Sequence, residues 1–199
     1  MDIASSVGKI QVLSSDVIGR IAAGEVVERP AAVVKELLEN SLDAGSGSIT
    51  VEIKDGGLGL IRVSDDGEGM SRRDAALAFE RHATSKLQSD QQLGSVRTMG
   101  FRGEALPSIA AVSKVRLTTV ARNDEVGTQL WITGGTITRI EDAAAIPGTS
   151  IEVSELFFNT PARRKFLKST TTEFSHISHV VQQAGLACCI SAMWCSRPG

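Results

Sequence analysis

The sequence predicts an α+β fold, a two-layer sandwich in which a mostly antiparallel mixed sheet carries helices on one face. Two observations lead there. Helical and hairpin segments segregate along the chain instead of alternating as strand–helix–strand units. The strands alternate in polarity and pair across glycine turns, Asp55-Gly56-Gly57 and Gly134-Gly135. Both argue against a Rossmann or P-loop core.

Taken in order, Ser14, Ser15 and Asp16 offer an N-cap for a short helix over 17–23, which Gly24 stops. Pro30 suits the first turn of a second helix running to Ala44, with Gly45 as its stop. Residues 48–54 alternate, placing Ile49, Val51 and Ile53 on one face, and 60–65 return as the second strand of a hairpin. Ser71 and Asp74 resemble a capping box that opens a helix reaching Arg81. From there to Gly100 the sequence is polar and irregular, which reads as a long loop or lid. Residues 103–112 are helical in composition; 115–121, 128–133, 136–140 and 149–153 read as strands, and 172–184 as a further helix.

The chain has 199 residues, enough for one large domain or two small ones with a proper core. At 42% hydrophobic and 22% charged it is an ordinary globular composition. Aromatics make up 4% and tyrosine is absent, which argues against base stacking as a way of holding single-stranded nucleic acid. The net charge of -2 gives no overall basic field toward DNA or anionic lipid. No secretory signal and no membrane-spanning apolar stretch are evident. Cys188, Cys189 and Cys195 are an odd number crowded near one end, which suits a reducing compartment. A metal site joining them to His176 and His179 is disfavoured, because adjacent cysteines lack the two-residue gap of metal-binding hairpins.

Several segments carry candidate chemistry. In the second helix Val33, Val34, Leu37, Leu38 and Leu42 form an apolar stripe, and Glu36, Asn40 and Asp43 share the other side. A carboxylate one turn from a carboxamide suits orienting a water and ligating a phosphate-bound magnesium ion; a solvated helix face is the plain alternative. Asp65 alternates with Ile61 and Val63 and so points to the apolar face, where it needs a donor such as an adenine amino group. Gly67 and Gly69, ahead of Met70, permit close backbone approach to a ligand; a capped turn is the alternative. Gly100-Phe101-Arg102-Gly103-Glu104-Ala105-Leu106 leads two glycines into a helix start, which suits phosphate oxygens or a hinge, but lacks the Gly-Lys-Ser/Thr ending of a Walker A loop. Lys86, following Thr84 and Ser85, is either a cation that closes over phosphates or an exposed lysine. Thr149, after Gly148, has a hydroxyl that can share the adenine site, and residues 159–168 form the one concentrated basic patch.

In this order the segments resemble the GHKL ATPases, the family of gyrase-type topoisomerases, Hsp90 chaperones, sensor histidine kinases and MutL. The mismatch-repair (MutL-type) branch is the nearer resemblance, carried by residues 21–30, 34–45, 81–86, 100–106 and 156–167 and extending over about 10–183. It implies the Bergerat ATPase fold, with ATP and Mg2+ as cofactors. Glu36 is then the general base, Asn40 the magnesium ligand and Asp65 the acceptor for adenine N6, with Thr149 supporting through water. Backbone amides around 102–106 cradle phosphates, and Thr84, Ser85, Lys86 and the following stretch form the lid. Also implied are slow ATP turnover and an ATP-gated clamp, with homo- or heterodimerisation. The implied partners are DNA, bound weakly and non-specifically, and a MutS-type mismatch-recognition protein, with no membrane. The implied location is the bacterial cytoplasm or the eukaryotic nucleus.

Three departures from the family pattern stand out. Asp66 replaces the Asn of many relatives, Pro107 follows Gly-Glu-Ala-Leu, and the sequence after Gln183 diverges. The expected organisation is an ATP-binding domain over 1–187, disordered over 1–9, and a divergent tail over 188–199. The second (transducer) domain, whose lysine reaches the γ-phosphate in relatives, and a C-terminal dimerisation domain are expected to be absent. Binding of nucleotide or partner without turnover is the alternative that this leaves open.

Overall fold

The computed structural model describes residues 23–24, 26–80, 83, 103–144, 146–185 and 189–195. Seven strands among them form one sheet: β1 (Ser48–Lys54), β2 (Leu60–Asp65), β3 (Lys114–Val120), β4 (Gly127–Thr133), β5 (Thr136–Ala143), β6 (Gly148–Ser154) and β7 (Cys189–Cys195). Their spatial order is β5-β4-β3-β6-β2-β1-β7. Every neighbouring pair is antiparallel except β1 and β7, which run parallel. The mixed, mostly antiparallel sheet expected from the sequence is therefore present. The edge strand β7 falls inside the segment read from sequence as a divergent tail.

Five α-helices have described bounds: α1 (Pro30–Asp43), α2 (Arg72–Leu77), α3 (Ala105–Ala111), α4 (Pro161–Phe166) and α5 (Thr170–Gly185). Ala23, Gly24 and Val26 are also helical, so Gly24 does not end the helix expected over 17–23. The stripe of α1 buries Val33, Val34, Leu37 and Leu38, which join Ile177 and Val181 of α5 and the sheet in one core. The sheet supplies Ile49, Val51 and Ile53 of β1, Ile61 and Val63 of β2, Ile151 and Val153 of β6, and Leu117 and Leu130 of β3 and β4. Alternation does the sorting, because within each strand every second residue faces the core and the register aligns those positions on one face. Burying them is the main favourable term in folding.

The opposite face is polar and laced across strands. Arg62 bonds Glu52 and reaches Glu152, its Nε lying 2.9 Å from Glu152 Oε1, and Arg116 Nε donates to Glu152 Oε2 at 3.1 Å. Trp131 continues this row with Arg139 stacked 4.8 Å from its ring centroid.

Most element boundaries agree with the sequence reading within a few residues. Helix α1 ends where Ala44 donates back to Asn40 and Gly45 turns with φ 68°. Ser71 accepts from the Asp74 amide as a cap should, but α2 stops at Leu77 instead of Arg81. Phe79 and Glu80 there bond three residues back, the tighter ring that unwinds a helix end. Strand β5 runs on to Ala143, and α4 was read only as a basic patch. The expectations for 1–22 and for the lid over 84–102 lie outside the described residues.

Candidate functional site

The site is built where the C-terminal end of α1 meets the ends of β2, β3 and β6. Register places Asp65 opposite Ile49 on one side and Thr149 on the other, and Thr149 opposite Thr119. All point to the core face, so the apolar interior ends in a polar row. Asp65 is half-buried. Its Oδ2 accepts from the Ser41 hydroxyl at 2.7 Å, and its Oδ1 accepts from the amides of Gly67 at 3.0 Å and Thr149 at 3.3 Å. Burial pushes the Asp65 carboxyl above the ordinary range, and these three donors pull against it.

The loop after β2 is held on both sides. The Glu68 amide donates to the Ala44 carbonyl at 3.1 Å, and the Met70 amide donates to the Thr119 hydroxyl at 2.9 Å. Glycine is required within it: a Cβ on Gly69, where φ is 67°, would sit 1.9 Å from the Val120 carbonyl oxygen. Across the site Gly148, at φ 123°, would place a Cβ 2.1 Å from the Asp65 carbonyl oxygen. Asp66 faces outward, where its Oδ1 accepts from the amides of Gly47 at 2.8 Å and Ser48 at 2.9 Å. Those bonds hold its carboxyl below the usual range.

Glu36, Asn40 and Asp43 occupy the half-buried flank of α1, one turn apart. Lys35 bonds Glu39 at 2.9 Å and lies 4.0 Å from Glu36. Asn40 adjoins Ser41, so the helix that anchors the Asp65 carboxylate also carries the candidate base and metal ligand. A magnesium ion fits the donors present: the carboxamide of Asn40 is a hard oxygen ligand on the flank that shares a helix with Glu36.

Glu104, Ala105 and Leu106 stand half-buried at the start of α3, and Ser108 makes its first backbone bond, to Glu104, at 3.0 Å. Pro107 is thus in the first turn, where a missing N–H costs nothing. Gly103, at φ 62°, is packed so that a Cβ would meet the Ala83 carbonyl oxygen at 2.3 Å. Ala83 and Gly103, which flank residues 84–102 in the sequence, therefore adjoin. Thr84, Ser85, Lys86, Gly100, Phe101 and Arg102 lie outside the described residues.

The structure thus gathers Asp65, Gly67, Gly69, Met70 and Thr149 into one cluster. Ser41 and Thr119 belong to it and were not singled out in the sequence. Ser41 left a signal: it is a polar residue at helical spacing from Leu37 and Leu38, and it is buried. Thr119 left none before the register of β3 with β6 was known.

Residues 28–158 match the model of a family described as histidine kinase-, DNA gyrase B- and HSP90-like ATPases. Over 180 residues, 90% of this chain, it is 58% identical to the DNA mismatch repair protein MutL of Acidobacterium capsulatum and 61% identical to that of Koribacter versatilis. The chain spans only 27% and 28% of the length of those two relatives. Among solved structures, the Aquifex aeolicus MutL ATPase domain complexed with ADP aligns at a TM-score of 0.68 and 32% identity, covering 85% of this chain and 61% of that one. The N-terminal domain of a DNA repair protein aligns at 0.76 and 30% identity, covering 92% of this chain and 53% of that one.

Proposed function

The chain belongs to the histidine kinase-, DNA gyrase B- and HSP90-like ATPases, and we propose that it binds and slowly hydrolyses ATP as the N-terminal switch of a MutL-type mismatch repair protein. The observation that carries this is Asp65, a carboxylate turned into the core face with a hydroxyl and two amides holding it in place. Such a group suits the exocyclic amine of adenine, and its neighbour in register, Thr149, supports the ring through water. The glycines at 67 and 69 let the loop approach the nucleotide.

In this reading Glu36 takes a proton from water and aims the water at the γ-phosphorus in line with the leaving oxygen. Asn40 would hold the magnesium ion, which supplies neutralisation of the phosphate charge. Backbone amides around 102–106 receive phosphate oxygens, and the 84–102 segment, with Thr84, Ser85 and Lys86 at its start, closes as the lid. Positioning and charge account for most of the rate in phosphoryl transfer.

By its similarity to mismatch repair proteins, the chain would act as an ATP-gated clamp within a cytoplasmic dimer. It would contact DNA weakly and answer to a MutS-type partner. Glu36→Ala tests the chemistry: nucleotide binding should persist while turnover falls by a factor on the order of 100 to 10,000. Retained hydrolysis would remove Glu36 from the mechanism. Binding without turnover in the unmodified chain would instead support a passive nucleotide-binding role.

A further inference from the structure

The two edges of the sheet are built differently. Strand β5 carries Arg139, Glu141 and Asp142, and its pairing with β4 shifts register between Trp131 and Ile132. Charges and irregularities of this kind keep an edge strand from pairing with another chain. Strand β7, Cys-Ile-Ser-Ala-Met-Trp-Cys, has no charged residue, no proline and no glycine. It pairs with β1 along its whole length without a shift, and among the described residues it has a neighbouring strand on one side only. A regular, uncharged edge offers its row of backbone donors and acceptors to a further strand.

Symmetry selects the occupant. A two-fold axis normal to the sheet carries the core face of one copy onto the core face of the other, so only positions of equal parity can stand opposite each other. Centring that axis on Ala192 is the one choice that pairs every residue from Cys189 to Cys195. Position 189 of each copy then faces position 195 of the other, so the cysteines at the two ends of the strand meet twice. We propose that β7 is the contact edge of a homodimer, in which a second copy of this chain adds its own β7 antiparallel about Ala192 and the two sheets become one. No charged residue is opposed in this register. Backbone pairing carries the contact, so the dimer forms without nucleotide, which separates it from the ATP-gated dimer proposed above.

Sedimentation of the nucleotide-free chain should show a species of twice the chain mass. Ser191→Lys combined with Met193→Lys sets lysines opposite each other at both crossings, and should weaken the dimer about tenfold. Register is tested by complementation in a Cys188→Ser background. Facing Cα atoms of an antiparallel pair lie about 4.5 or 5.5 Å apart, within reach of a disulfide. Diamide takes up the two protons and two electrons that each disulfide releases. Cys189→Ser alone and Cys195→Ser alone should give no cross-linked dimer, because each cysteine then faces a serine. The two variants co-expressed should cross-link, through Cys189 of one copy and Cys195 of the other. Equal cross-linking in the unmixed variants, or none in the mixture, overturns the proposed register whether or not the lysine variant folds. A chain that stays monomeric without nucleotide, or dimerises only with it, overturns the proposal and leaves the ATPase reading standing.

Discussion

Asp65 shows how a candidate site residue can work against the stability of its own fold. Its carboxyl titrates above the ordinary value because burial penalises the charge. The folded state therefore holds a proton that the unfolded chain releases, and stability falls as pH rises through the folded pKa. Asp65→Asn should leave the nucleotide-free protein at neutral pH at least as stable, since the amide oxygen can still accept from Gly67 and Thr149. The same change should weaken ATP binding roughly tenfold to a hundredfold, as expected for losing a charge-assisted hydrogen bond. Thermal melts beside calorimetry check both halves. Asp66 has the opposite sign: its lowered pKa contributes stability above the ordinary carboxylate range, and that contribution disappears as pH falls through the folded value. Because both amides bond one oxygen, Asp66→Asn should keep the turn while flattening the acid limb of a pH–stability curve. A full acid limb in that variant would assign the effect elsewhere. Strand parity made Asp65 legible in sequence, whereas Thr119 depended on a partner strand some thirty residues away.

At the scale of elements, α1 combines two tasks that the sequence already separates. Its apolar stripe is core, and Leu37→Ala should cost about 3 kcal/mol in a denaturant titration. Its other flank carries Glu36 and Asn40, whose substitution should barely move stability. The loop from β2 is less tolerant. Gly69→Ala meets both a left-handed backbone and the Val120 carbonyl, so a loss of about 2 kcal/mol or more is expected, together with nucleotide affinity. A fully stable variant would show that the loop moves freely away from β3. Hairpins were readable because alternation and glycine turns are local signals. Helix α4 escaped notice because six residues with no buried side chain leave no apolar period. Strand β7 escaped because its parallel pairing with β1 is decided by tertiary register, not by its own sequence.

For the whole molecule, one core beneath one sheet holds the ends of three strands and a helix at a shared polar row. A nucleotide bound there as proposed would couple binding to global stability, because a ligand held by α1, β2 and β6 favours only the folded state. An ATP analogue at a hundredfold excess over its Kd should add about 2.7 kcal/mol, visible as a rise in melting temperature. The chain spans under a third of the length of the MutL relatives it matches. The most direct measurement is magnesium-dependent binding of a non-hydrolysable ATP analogue by calorimetry, with Asp65→Asn as the control. Saturable binding that the substitution weakens is the expected result. A folded chain that binds no analogue, or binds it equally well without the Asp65 carboxylate, would contradict the adenine site and the function proposed from it.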